Sequence, residues 1–212
     1  MSDITISVVG QKGGTGKSTL ARAIAREYAA NDWSVKIADM DLGQSTNYRW
    51  HQRRLQADID PSLEVSQYKS VKEAQLASGG FDLLVFDGAG VSNSLTRDMS
   101  VAAQLTVIPT GLAVDDLEPS VRLANDLAQH VKGSEISFAL CRVGNSDVEL
   151  QEAQDYIGQT RYHLLNGYMP ERTGYRRASD GGRSATETSY PALNVRTDEL
   201  IQSIINRVEE LS

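Results

Sequence analysis

The sequence predicts an α/β fold, a mostly parallel, twisted sheet with helices on both faces. Three observations lead there. Short β-branched apolar runs alternate with segments of helical period. A glycine-rich loop separates the first run from the first helical segment. Aspartates follow the second and third runs directly, at the carboxyl ends of strands, where open α/β sheets bind ligands.

Residues 4–9 (ITISVV) read as a short buried strand. Residues 17–30 read as a helix, with Leu20, Ile24 and Tyr28 four apart. Further strands are expected at 34–38, 81–86 (FDLLVF), 105–109 (LTVIP) and 136–141 (ISFALC). Helices are expected at 71–78, 116–131 and 148–159, with glycine and polar clusters marking the turns. A last helix at 198–211 puts Leu200, Ile201, Ile204, Ile205, Val208 and Leu211 on one stripe. Such a stripe packs on the domain or lies on a membrane surface. Membrane-surface helices are rich in Lys and Arg and carry aromatics; this one has Asp198, Glu199, Glu209 and Glu210 and no aromatic, so packing is favoured.

The 212 residues suit one domain spanning 1–212, with no internal repeat or long linker. Hydrophobic content of 40% and charged content of 23% are ordinary for a globular chain. No apolar run approaches the roughly 20 residues that span a bilayer, and no basic segment precedes the first apolar run as in a secretory signal. The single cysteine, Cys141, forms neither an internal disulfide nor a thiolate cluster, and a cytoplasmic setting is expected. The net charge of -7 argues against a globally basic nucleic-acid binder but leaves room for a local basic face.

The loop reads Gly10-Gln11-Lys12-Gly13-Gly14-Thr15-Gly16-Lys17-Ser18-Thr19. The general pattern G-x-x-x-x-G-K-[ST] would put its first glycine at Gln11, so Gly10 stands one residue early; K-G-G-x-G-K-[ST] fits in full. Glycines let backbone N–H groups curl around phosphate oxygens, and the helix that follows adds its positive end. Lys17 is placed to reach the β- and γ-phosphates, Ser18 to give its hydroxyl to Mg²⁺, and Thr19 to bond the α-phosphate. The bland alternative, a glycine-rich turn without ligand, is opposed by the strand–loop–helix context. The fold class is thereby narrowed to a P-loop NTPase. Lys12 is a second lysine that the general motif does not require.

KGGTGKST resembles the deviant Walker A box of the ParA/MinD family of ATPases, and the resemblance covers nearly the whole chain. The chain is most similar to the small ParA-type partition ATPases that lack an N-terminal helix-turn-helix, since it starts at the P-loop strand. The resemblance implies that Lys12 crosses a homodimer interface to the partner's ATP, so that two nucleotides lie sandwiched between subunits. An exposed lysine serving the ligand of its own chain is the alternative. Gly13, Gly14, Thr15, Gly16, Lys17, Ser18 and Thr19 would hold ATP or ADP. Asp39-Met40-Asp41 resembles the family's second box, with Asp41 holding the attacking water or acting as its base and Asp39 supporting the Mg²⁺ shell; two solvated carboxylates at a strand end are the alternative. Leu42-Gly43 looks more like the MinD branch, where partition proteins have Pro-Gln. The run LLVF ending in Asp87 resembles Walker B, with Asp87 holding Mg²⁺ through water. Gly88 and Gly90 would let that loop shift with nucleotide state. Thr110 corresponds to a step beside the nucleotide. Arg142, Met169 and Pro170 correspond to the adenine pocket, although Cys141 stands where the family often has a base-reading Asn.

Arginines cluster twice. Arg49, Arg53 and Arg54 surround Trp50 and His51, as a solvated face or a binding patch. Arg172, Arg176, Arg177 and Arg183 lie in a stretch similar to the family pattern x-R-x-x-Y-x-x-A-x-x-x-G-x-x-x-x-E. In the partition branch such a region binds nonspecific double-stranded DNA; pairing with Asp180 and Glu187 or service at the dimer interface is the alternative. The function implied is a dimerising, Mg²⁺-dependent ATP hydrolase that partitions or positions a cargo on nucleoid DNA, stimulated by a ParB-like or cargo-adaptor protein. A MinD-like membrane-surface ATPase is the competing reading. A metallocluster or ligase enzyme is disfavoured by one cysteine and by the expectation that 212 residues leave no room for a further catalytic domain.

Overall fold

In the computed structural model, which describes residues 3–90 and 94–212, eight strands form one sheet in the order β3-β2-β4-β1-β5-β6-β7, with β8 also paired to β6. They are β1 (Ile4–Val8), β2 (Val35–Asp39), β3 (Glu64–Gln67), β4 (Leu83–Asp87), β5 (Leu105–Thr110), β6 (Ile136–Val143), β7 (His163–Leu164) and β8 (Met169–Pro170). Every pairing is parallel. The helices are α1 (Lys17–Ala30), α2 (Thr46–Gln56), α3 (Val71–Ala77), α4 (Ser94–Ala102), α5 (Val114–Leu127), α6 (Asp147–Gly158), α7 (Thr173–Asp180) and α8 (Pro191–Leu211).

The central strands are buried on both faces, as parallel strands must be when helices cover them. Alternate residues enter different cores. Leu83 and Val85 join Ile6, Val8, Ile37 and Val107 beneath α1 and α8, with Trp50 of α2 and Tyr175 of α7. Leu84 and Phe86 join Ala38, Ile108 and Phe138 beneath α3, α4, α5 and α6. That parity sends Asp39 and Asp87, register partners on β2 and β4, to the α1 side.

The expected strands and helices are present, α1 with the expected bounds and the others with one or both ends shifted. The last helix starts at Pro191, a favoured first position, rather than at 198. Its stripe is packed, not free: Leu200, Ile201, Ile204 and Val208 belong to the α1-side core, with Ile205 and Leu211 against it. No described helix is long and apolar enough to cross a membrane. Helices α2, α4 and α7 and strands β3, β7 and β8 were not expected from the pattern of apolar residues.

The arginine cluster of α2 is divided: Arg49 is exposed, Arg53 is half-buried and donates to the Ser179 carbonyl, and Arg54 is buried. Arg54 is 1% exposed and grips Glu187 through NH1–Oε2 at 2.7 Å and NH2–Oε1 at 3.0 Å, with further donation to the carbonyls of Pro61 and Gly182. The guanidinium groups of Arg22 and Arg54 both lie over the Trp50 ring, 5.1 and 5.6 Å from its centroid. Gly182 has φ +76° and comes so close to α2 that an added Cβ would sit 2.4 Å from Arg54 N. Only glycine fits that contact. The spaced Tyr175, Ala178, Gly182 and Glu187 of the family-like pattern are thus the residues that fasten this segment inward.

Candidate nucleotide site

The loop between β1 and α1 opens at the centre of the sheet, where β1 is flanked by β4 and β5. Gly16 caps α1 with φ 102°, and an added Cβ would meet Cys141 Cβ and Met169 Cε, both at 3.3 Å. The loop can therefore press onto β6 and β8 only with glycine there. A cleft of about 300 Å³ follows, lined by Gly13, Gly14, Gly16, Lys17, Ser18, Thr19, Asp39, Asp41, Asp87, Gly88 and Gly90. The expected phosphate, metal and water-activating residues are thus gathered in one place. Thr15 is buried beside them with its hydroxyl oxygen unpartnered.

Lys17 is buried and donates to the Lys12 carbonyl at 2.6 Å. Burial lowers its pKa, against the pull of Asp87 and Asp41. Asp87 is pushed up to about 6 by burial and by the charge of Asp39, while the Ser18 hydroxyl, Arg22 and Lys17 favour its ionised form. Burial also raises Asp39, against amide N–H groups donated by Asp41, Asn47 and Tyr48. Asp41 accepts from the Gly43 and Gln44 amides through Oδ1, at 3.2 and 3.1 Å, which aims the carboxylate into the turn it heads.

This donor set fits Mg²⁺. Asp87 Oδ1 is buried without a hydrogen-bond partner, the Ser18 hydroxyl is a hard oxygen close to it, and Asp39 adds a second carboxylate. Among the described residues no three His, Cys, Asp or Glu side chains form a metal cage. Mg²⁺ needs none, because it keeps water and takes phosphate oxygens.

A second cleft of about 410 Å³ adjoins the first across Gly14, Gly16 and Thr19 and is lined by Arg142, Met169, Pro170, Glu171, Arg172, Tyr175 and Arg176. Pairing of β8 with β6 at Cys141–Met169 and Val143–Pro170 brings these walls together. Arg142 has φ 58°, donates to Gly14 O at 3.3 Å and pairs with Glu171 at 3.0 Å. It reaches back over the loop while its side chain stays 54% exposed. Cys141 is fully buried beneath Gly16 and does not line the cleft. Thr110 is also fully buried and lines neither cleft.

Lys12 is held within its own chain. Its ammonium pairs with Asp116 Oδ1 at 3.0 Å and donates to the Asp115 carbonyl. That carbonyl is free to accept because Pro119, four residues on in α5, has no N–H to give it. Two residues that the motifs missed, Arg22 and Asn47, stand behind the carboxylates. Arg22 Nε donates to Asn47 Oδ1 at 2.6 Å and Asn47 Nδ2 donates to Asp87 Oδ2 at 2.6 Å.

Arg172, Arg176, Arg177 and Arg183 are all exposed on or beside α7. Arg172 donates to Asn145 and to the Glu171 carbonyl. Among the described residues Arg176, Arg177 and Arg183 have no carboxylate partner; Glu187 serves Arg54 and Arg26 instead.

Solved structures with the same architecture include MinD of Pyrococcus horikoshii with Mg-ADP, 15% identical, covering 100% of this chain and 99% of that one with a TM-score of 0.74. A candidate plasmid partition protein of Borrelia burgdorferi bound to AMPPNP is 15% identical over 97% of this chain and 100% of its own, with a TM-score of 0.72. A substituted McdA of Cyanothece in complex with ATP is 14% identical over 96% and 97%, with a TM-score of 0.70. No curated protein matches the sequence. The family model described as the CobQ/CobB/MinD/ParA nucleotide binding domain matches residues 6–185. With its loop, its strand-end aspartates and its parallel sheet in that match, the chain belongs to the CobQ/CobB/MinD/ParA nucleotide-binding family.

Proposed function

We propose that the chain is a Mg²⁺-dependent ATP hydrolase of the ParA type that works as a homodimer with ATP sandwiched between subunits and rides nonspecific double-stranded DNA to partition or position a cargo. The observation that carries this reading is the pair of adjoining clefts, one walled by Lys17, Ser18, Asp39, Asp41 and Asp87, the other by Arg142, Met169 and Pro170. The first suits a Mg²⁺-bound triphosphate and the second a base.

Loop amides and Lys17 hold the β- and γ-phosphates, and Thr19 bonds the α-phosphate. Ser18 and Asp87, supported by Asp39, hold Mg²⁺, which spreads charge over the phosphate oxygens when bound. Asp41 orients the water that attacks the γ-phosphorus and takes its proton, and ADP leaves. Lys12 exchanges Asp116 for the phosphates of the partner's nucleotide, adding a cation as an arginine finger does. Arg172, Arg176, Arg177 and Arg183 contact phosphate backbone; the three without carboxylate partners support this reading. A ParB-like or cargo-adaptor protein stimulates hydrolysis and ends the DNA-bound state, and the protein acts on the nucleoid. The packed stripe of α8 weighs against a membrane-surface role.

The test is binding to random-sequence duplex DNA with ATP, ADP or no nucleotide, at two salt concentrations, for the wild type and Lys12→Ala. Binding that needs ATP, weakens with salt and disappears in Lys12→Ala is the expected result. ATP-dependent dimerisation without DNA binding would move the assignment to another surface, and anionic vesicles would then be the substrate to try.

A further inference from the structure

The phosphate cleft has a back wall that its motifs do not explain. Arg22 of α1 and Asn47 of α2 are 3% and 0% exposed. Arg22 Nε donates to Asn47 Oδ1 at 2.6 Å, NH2 donates to the Thr46 carbonyl at 2.9 Å, and NH1 donates to Ser179 Oγ on α7 at 2.9 Å. Asn47 in turn touches both strand-end carboxylates. Its Nδ2 donates to Asp87 Oδ2 at 2.6 Å and its backbone N–H donates to Asp39 Oδ2 at 3.2 Å.

The chemistry of the groups allows one arrangement. A guanidinium only donates, so Oδ1 of Asn47 must face Arg22, and a carboxylate that accepts must then receive Nδ2. The amide cannot flip without putting two donors together on one side and two acceptors on the other. Asn47 thus holds Asp87 through Oδ2, beside the Ser18 hydroxyl that also bonds this carboxyl group, and Oδ1 is buried without a hydrogen-bond partner. Trp50, against the guanidinium at 5.1 Å, keeps the arginine from swinging away.

We propose that Asn47, oriented by Arg22, is a positioning residue for the magnesium carboxylates Asp87 and Asp39, and that Arg22 ties their placement to α7 through Ser179. The proposal rests on reading the cleft as a Mg²⁺–nucleotide site. Asn47 fixes which oxygen of Asp87 is free and which way it points. Any displacement of that oxygen is felt by the guanidinium and, through Ser179, by the helix that carries Arg176 and Arg177. Groups behind metal ligands commonly set metal affinity by about 10- to 100-fold.

Two measurements test it. The first is side-chain amide NMR of the nucleotide-free wild type. Two inequivalent Asn47 amide protons that exchange slowly with solvent are expected, and rapid exchange overturns the proposal. The second is binding of fluorescent ADP, titrated with Mg²⁺ and repeated in chelator. Asn47→Leu and Arg22→Met are expected to raise the Mg²⁺ concentration for half-maximal enhancement by about 10-fold or more, with metal-free ADP affinity within about 2-fold of wild type; Arg22→Lys restores part of the loss. A folded Asn47→Leu with an unchanged Mg²⁺ midpoint sinks the idea, as does an equal loss with and without metal. If the wild type binds no nucleotide, the nucleotide reading itself fails, and the amide spectrum still decides whether the Arg22–Asn47 arrangement exists.

Discussion

The arginines of α2 and those of α7 lie on neighbouring helices and have opposite fates. Arg54 is buried and clasps Glu187 with both arms of its fork, while Arg176, Arg177 and Arg183 stand exposed without a carboxylate among the described residues. Glu187 makes the difference. It lies four residues after Arg183, yet the turn at Gly182 hands it to α2. Arg54, with Arg53, is thereby spent on holding the segment in place, and the α7 arginines are left with uncompensated charge on an otherwise acidic chain. Charge that the fold neutralises is scaffold, and charge that it leaves over is available to a polyanion.

The contrast is sharpest if it breaks in the expected order. Arg54→Ala strands a buried Glu187 carboxylate and is expected to cost about 3–5 kcal/mol in chemical denaturation, the largest effect of all. Gly182→Ala forces a Cβ into the α2 backbone at positive φ and is expected to cost on the order of 2 kcal/mol by the same measurement. The Arg54–Glu187 pair also predicts acid lability. Burial alone would raise the Glu187 pKa, but donation from Arg54 and Ser184 with the charges of Arg54 and Arg26 outweighs it and leaves the value below 4.5. A depressed carboxylate stabilises the fold above its unfolded pKa and loses that contribution as pH falls through the folded one. Wild type should therefore lose stability below about pH 4.5 more steeply than a folded Arg54→Met variant, checked by denaturation against pH. Arg176→Ala, Arg177→Ala and Arg183→Ala should each leave stability within about 0.5 kcal/mol. Each should lower the slope of log affinity for DNA against log salt by roughly 0.9. An α7 variant that unfolds the chain, or an Arg54 variant that changes only DNA binding, would erase the distinction.

Much of the phosphate site was legible because it consists of apolar strands that end in an aspartate and of a loop whose glycines no other residue replaces. Val8, Lys17 and Asp87 follow from that alone. Helix α2 was not legible, although Asn47, Trp50, His51 and Arg54 recur at helical spacing, because three of those four buried side chains are polar and a search for apolar period passes over them. Strand β3 has one buried residue, Val65, and α7 is eight residues long, so neither carries a measurable period. Arg22 and Asn47 escaped for a related reason. Their meaning lies in a contact between α1 and α2 across 25 positions of sequence, which no local pattern encodes. The proposed trans role of Lys12 would need a second subunit, and the placement of Lys12 in one chain shows where it rests alone.

That resting place has a quantitative consequence. The Lys12 and Asp116 side chains are 43% and 32% exposed, so their pairing is of the kind worth about 0.2–1 kcal/mol. At any instant roughly one-sixth to two-fifths of the chains then carry a detached Lys12, and the apparent association constant falls by that fraction once for each subunit. In the proposed dimer both lysines must let go, so the fraction enters squared. If the proposed dimer forms, the proline that leaves the Asp115 carbonyl to Lys12 would thus help to set the concentration at which it does so.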